Sequence, residues 1–208
     1  MQNVYITKTS KFLPNQPISN DEMEDFLGKI NQIPSKARRI VLRNNGIKTR
    51  YYALDKTGNV THSNAELTSN AITNLFDAQF TKNEIEVLSC GTSTPDLLLP
   101  SHAAMVHGLL QNNVSVELNS SSGVCNSGMN ALKFGYLSVK SGNSKNAVCS
   151  GSERVSTWMK AEKFEHEVEN LKELEEQPII AFKKELSKNL KCLTDGEYFL
   201  KISSFNNI

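Results

Sequence analysis

The sequence predicts an α/β fold built as layers around a largely buried sheet, and three observations carry that prediction. Short apolar runs with strand character recur at 85–91, 114–118 and 147–151. Segments with helical periodicity lie between them, so strands and helices alternate along the chain. The composition is ordinary for a globular protein: 208 residues, 38% hydrophobic and 22% charged, with a formal net charge of +1. That length suits one large domain or two small ones.

Taken in order, residues 4–12 alternate in hydrophobicity and stop before Pro14, which predicts a strand and turn. Ser19 or Asn20 can cap a short helix over 21–30, whose first turn is rich in carboxylates. Residues 38–52 are basic and interrupted by the turn signal Asn44-Asn45-Gly46. Residues 64–80 read as an amphipathic helix, with Leu67, Ala71, Leu75 and Ala78 along one stripe. The strand at 85–91 runs into Thr92-Ser93-Thr94-Pro95-Asp96, and 100–110 is a helix candidate. The extended segment Val114-Ser115-Val116-Glu117-Leu118 leads through a tight bend into a long helical pattern starting near Asn126. On that helix Met129, Leu132, Tyr136 and Val139 form an apolar stripe, and Gly128, Ala131 and Gly135 permit close backbone approach. The expectation is a buried central helix with the Met and Tyr positions in the core. Another strand follows at 147–151, then a charged stretch at 159–176, which reads as a solvated helix or lid.

The near-zero charge argues against nucleic-acid or membrane-surface binding by bulk electrostatics. No early basic-then-apolar segment resembles a secretion signal, and no apolar run is long enough to span a bilayer, so a cytoplasmic chain is expected. Cys90, Cys125, Cys149 and Cys192 are widely spaced and read as free thiols, with Cys90 and Cys149 as buried core residues. His102 and His107 are five apart on the predicted helix, a poor metal pair, and both read as structural. No metal and no cofactor are expected, and no Gly-x-Gly-x-x-Gly turn follows a strand.

Gly123-Val124-Cys125-Asn126-Ser127-Gly128 is the candidate site. A thiol at a strand-to-helix bend is more often structural than catalytic. Yet a helix start offers unpaired backbone N–H groups and the positive end of the macrodipole, both of which favour thiolate over thiol. Cys125 is therefore the candidate nucleophile.

Five blocks, in order, carry a resemblance to a known family: Gly46-Ile47-Lys48-Thr49-Arg50 with Ala53, Gly91-Thr92-Ser93-Thr94-Pro95-Asp96, Pro100-Ser101-His102-Ala103-Ala104, the Cys125 block, and Val148-Cys149-Ser150-Gly151-Ser152-Glu153. From about Val4 to Asp195 the chain resembles the β-ketoacyl-acyl-carrier-protein synthase III family of the thiolase superfamily, most closely its members that build aromatic-headed polyene or dialkylresorcinol pigments. The resemblance implies a thiolase-like layered fold, here the first of its two pseudo-symmetric halves, with a central mixed sheet and a buried helix after the nucleophile. It implies that residues 1–196 form the ketosynthase half and that 197–208 are an atypical truncated tail. It also implies that Cys125 accepts an acyl group from acyl-coenzyme A or acyl-carrier protein, for decarboxylative Claisen condensation with malonyl-carrier protein in fatty acid or pigment biosynthesis. Family members form homodimers.

The resemblance further marks Arg43, Leu99 and Asn126 as substrate-binding candidates. Arg43 lies one residue ahead of the place where the family carries a nucleotide-contacting arginine, which here is Asn44; Leu99 stands where the family reaches the partner subunit's acyl pocket. The family's catalytic histidine and asparagine belong to a second half, and none of His62, His102, His107 and His166 stands in that context. After Thr194-Asp195-Gly196 the chain departs from the family pattern and reads as truncated. A non-catalytic remnant or partner subunit, and acyl transfer without condensation, are the competing readings.

Overall fold

The computed structural model describes residues 3–35, 38–111 and 114–165. The charged stretch beyond 165, His166, Cys192, the Thr194-Asp195-Gly196 motif and the expected boundary at 196 lie outside the described residues. The chain divides into two units, Met1–Lys160 and Ala161–Ile208. In the second, a short 3-10 turn spans Ala161–Lys163; the elements that follow belong to the first.

Three parallel strands form the centre: β3 (Val87–Gly91) lies between β4 (Glu117–Ser121) and β5 (Ala147–Gly151), in register Leu88 to Leu118 and Leu88 to Val148. A separate antiparallel pair joins β1 (Ile18–Ser19) to β2 (Thr49–Arg50). The expected mixture of strand directions is thus divided between two sheets among the described residues, and the central one is parallel. Parallel strands need crossover connections, which here carry helices on both faces.

Helices α3 (Asn64–Thr73) and α4 (His102–Leu110) cover one face. Leu88 and Cys90 of β3 and Val148 of β5 point that way and pack with Ala65, Ile72, Ile85, Ala103, Val106 and Leu110. Helix α5 (Ser127–Ser141) covers the other face, where Ser89 of β3 donates to the Ala131 carbonyl at 3.0 Å. Alternation along each strand produces the two faces. β3 is buried throughout, as a strand covered on both sides must be.

Local chemistry sets the helix starts. Ser63 caps α3 through a full capping box with Glu66, and Ser101 caps α4 by accepting from Ala104 N–H. Asp96 adds a carboxylate to the α3 start, accepting from the N–H groups of Asn64 and Ala65 at 2.9 and 2.8 Å.

Several expectations are corrected. Residues 4–12 form no strand: no ladder partner adjoins them among the described residues, Tyr5 and Ile6 are exposed, and the segment is tied instead by Ser10 to the Ala71 carbonyl and by Asn74 to the Lys11 carbonyl. The helix expected over 21–30 shrinks to α1 (Met23–Leu27): the Ser19 N–H and hydroxyl bond the Glu22 carboxylate ahead of it, and the helix ends at Gly28, where φ is 81°. The basic segment holds a helix, α2 (Arg38–Asn45), which ends at the predicted turn. α3 stops at Thr73, seven residues short of the expected end. β4 begins at Glu117, later than the apolar run suggested.

The largest correction concerns α5. Its buried stripe is Ser127, Ala131, Gly135 and Ser138, whereas Met129 is 65% exposed and Tyr136 46%. A Cβ on Gly135 would lie 2.3 Å from Cys149 Sγ, and the Gly128 and Gly151 backbones touch. Small residues bring this helix against the strands; the predicted apolar stripe faces away from them.

Candidate active site

Cys125 sits where the carboxyl ends of the three parallel strands open, the usual location of sites in open α/β sheets. β4 ends at Ser121 and α5 begins at Ser127, so four of the five linking residues, Gly123 to Asn126, must reverse the chain within a short span. They do so with left-handed backbone: φ is 154° at Gly123 and 61° at Cys125. Gly123 suits this backbone, and a Cβ there would lie 2.2 Å from Asn126 Oδ1, so that side chain would have to move. At Cys125 the same region is unfavourable by about 1–2 kcal/mol for a residue with a side chain. Such outliers persist where surrounding structure over-determines them, often at functional sites.

The thiol is free and exposed. Cys90 is buried, and burial pushes its thiol up to about 11; Cys149 is half-buried and also raised by burial. The expectation that these two are core cysteines holds for Cys90, and Cys149 packs against Gly135. Asn126 is the N-cap residue of α5, yet its side chain makes no cap bond; it lies over Gly123 instead. A helix start without such a cap leaves backbone N–H groups open to anionic partners.

A hydroxyl-rich loop after β3 supports this bend. Ser93 Oγ donates to the Gly123 carbonyl at 2.8 Å and lies 3.1 Å from Ser127 Oγ, which also donates to that carbonyl. Glu153, just after β5, accepts from Ser93 N–H and Thr94 Oγ1, each at 2.7 Å. Arg154 bridges to Asp96 at 3.2 Å, and Asn64 Nδ2 reaches Thr92 Oγ1 and the Thr94 carbonyl. All three post-strand loops and the α3 start are joined in one network. In the sequence these residues stand out only as blocks of a resemblance; the run of hydroxyls directly after a strand is the local signal for them.

The other candidates lie apart. Arg43 is exposed in the last turn of α2, and Leu99 is 86% exposed just before α4. No hydrogen bond or ion pair among the described residues joins either to the Cys125 turn. His102 is buried between α3 and α4, 3.0 Å from Thr68 Oγ1. Thr68 spends its single hydrogen on the Asn64 carbonyl, so it accepts from His102 Nε2–H, and Nδ1 is the bare nitrogen. His62 packs edge-on against Phe12 and contacts Thr61. Among the described residues no group of three or more His, Cys, Asp or Glu could hold a metal ion, and no helix is long and apolar enough to cross a membrane.

Comparison with known proteins agrees in part. No protein-family model matches the sequence. Over 163 residues, 76% of the chain, it is 31% identical to a β-ketoacyl-[acyl-carrier-protein] synthase III of Neisseria gonorrhoeae, covering 47% of that protein. A tetronic acid condensing enzyme shares 26% identity with a TM-score of 0.62, over 74% of this chain and 44% of that one. The 3-oxoacyl-[acyl-carrier-protein] synthase III of Aquifex aeolicus superposes with a TM-score of 0.58 over 71% of this chain and 44% of its own, at 23% identity, which bears out the layered thiolase-like fold. The chain spans about half the length of the curated relatives it matches.

Proposed function

We propose, from the premise that the chain is related to the β-ketoacyl-acyl-carrier-protein synthase III family, that it is the acyl-accepting half of a ketosynthase III-type enzyme. The observation that carries this reading is Cys125: a free, exposed thiol held in a left-handed turn at the start of α5, at the carboxyl edge of the sheet. The thiolate attacks the carbonyl carbon of an acyl thioester on coenzyme A or a carrier protein. The donor's thiolate leaves, and the acyl group remains as a Cys125 thioester. The uncapped first-turn amides of α5 are the available donors for the tetrahedral oxyanion, a contribution typically worth about 10² to 10³ in rate per donor. In the full reaction, malonyl-carrier protein loses carbon dioxide and the carbanion attacks that thioester, expelling Cys125 as thiolate. Arg43, Leu99 and Asn126 remain the substrate-binding assignments of this reading.

Decarboxylation needs groups that stabilise the enolate. Among the described residues no hydrogen bond joins a histidine to the Cys125 turn: His102 is turned to Thr68, His62 to Phe12, and His107 lies in the last turn of α4. Condensation is therefore assigned to this chain together with a complementary ketosynthase half, and acyl acceptance to this chain itself. The test is to incubate the chain with acyl-coenzyme A, with and without malonyl-carrier protein. The expected result is acylated protein without β-ketoacyl product, and none in Cys125→Ala; an unacylated wild-type chain overturns the proposal.

One observation favours a second reading, a non-catalytic subunit that pairs with another ketosynthase chain. The apolar residues Met129, Leu132, Tyr136 and Leu137 of α5 are exposed.

A further inference from the structure

We infer that Ser93 is a positioning residue, which with Ser127 clamps the Gly123 carbonyl and so holds Cys125 in the left-handed turn that presents its thiol. Three contacts converge there: Ser93 Oγ to the carbonyl at 2.8 Å, Ser127 Oγ to the same carbonyl, and the two hydroxyls to each other at 3.1 Å. Two hydroxyl hydrogens serve three contacts, so two bonds exist at a time, and in every arrangement the carbonyl accepts at least one. Ser127 is buried and belongs to α5, so its hydroxyl ties the turn to the helix. Ser93 ties it to a different element, the loop after β3.

That loop is anchored in turn from outside the turn. The Ser93 N–H donates to Glu153 Oε1 at 2.7 Å, and Glu153 Oε2 accepts from Thr94 Oγ1 at 2.7 Å and Thr92 Oγ1 at 3.4 Å. Bonds to a carboxylate are stronger than neutral ones, which makes Glu153 a firm anchor even at the surface. The turn needs such support. Left-handed backbone at Cys125 is disfavoured for any residue with a Cβ, and the Asn126 side chain, lying over Gly123, offers the helix no cap to compensate.

The purpose of the clamp rests on the acyl-acceptor reading of Cys125, whereas its hold on the thiol can be measured without any acyl donor. The experiment follows iodoacetamide alkylation of the full chain by peptide mass mapping at one pH, alongside thermal melting. Ser93→Ala should slow alkylation of Cys125 about fivefold, the change in population that releasing left-handed strain at one residue allows. Melting should shift by no more than a few degrees, and Ser93→Thr, which keeps the hydroxyl, should restore the rate. Glu153→Ala should slow it about twofold, because it loosens Ser93 without deleting it; this variant carries the test if Ser93→Ala does not fold. Cys125 reacting at the wild-type rate in both alanine variants overturns the inference. So does a general rise in labelling of Cys90 and Cys149, which marks loss of packing rather than of positioning. A wild-type chain that takes no acyl group but keeps the alkylation difference removes the acyl-acceptor reading and leaves the clamp standing.

Discussion

Cys125 and His102 show how the same fold makes opposite use of two reactive side chains. Cys125 lies outside the core in a strained turn, while Cys90 is sealed under α3 and α4 with its thiol pushed up by burial. His102 is buried as the neutral imidazole: burial holds it below its ordinary value, against smaller opposing pulls from the Asp96 and Glu153 carboxylates. Its sign is fixed by linkage. The unfolded chain titrates this histidine near 6.5, so below that pH the unfolded state binds the extra proton and gains stability over the native one. Stability should therefore fall as pH drops from about 6.5 toward the depressed native value. Urea unfolding at pH 7 and pH 5 checks this: His102→Gln should show a shallower loss than wild type, and equal losses would mean that His102 is not buried neutral. The sequence placed both residues well. A cysteine between an apolar run and a helical pattern, and a histidine on a predicted helix without a second ligand, are local facts. The clamp was not legible, because Ser93, Ser127 and Glu153 meet only once three separate loops have been folded to one edge.

Elements were legible where their ends carry chemistry. Ser101 and the Ser63–Glu66 pair cap helices that begin there, and β3 and β5 stand where short apolar runs predicted them. The N-terminal alternation was misleading, because a period of two shows that a segment can be a strand but not that a partner strand lies beside it. Helix α5 presents the sharper case. Its sequence holds two stripes at helical spacing, one of large apolar residues and one of Ser127, Ala131, Gly135 and Ser138. Periodicity alone favoured the larger one, but the strands admit only the smaller, since Cys149 Sγ and the Ala147 methyl already occupy the space over Gly135. Gly135→Ala tests this directly. Although alanine is the better helix former by up to about 1 kcal/mol, the added methyl should overpack the sheet and lower stability by about 1–3 kcal/mol. Equal or higher stability in chemical denaturation would show that α5 sits further from β5.

At the scale of the molecule, the described residues make one covered sheet and one open helix face. α3 and α4 bury the Leu88–Val148 side, while α5 turns Met129, Leu132 and Tyr136 outward. Exposed apolar surface of this kind favours association. Met129→Lys with Leu132→Glu should reduce self-association of the isolated chain, read by light scattering across concentration, while leaving its melting cooperative. A wild-type chain that stays monomeric at high concentration would contradict that.

The most direct test of the whole account is where an acyl group lands. Peptide mapping after brief exposure to acyl-coenzyme A should place the added mass on the peptide containing Cys125 and leave Cys90 and Cys149 unmodified. Acyl groups spread over several thiols, or found only on another residue, would contradict it.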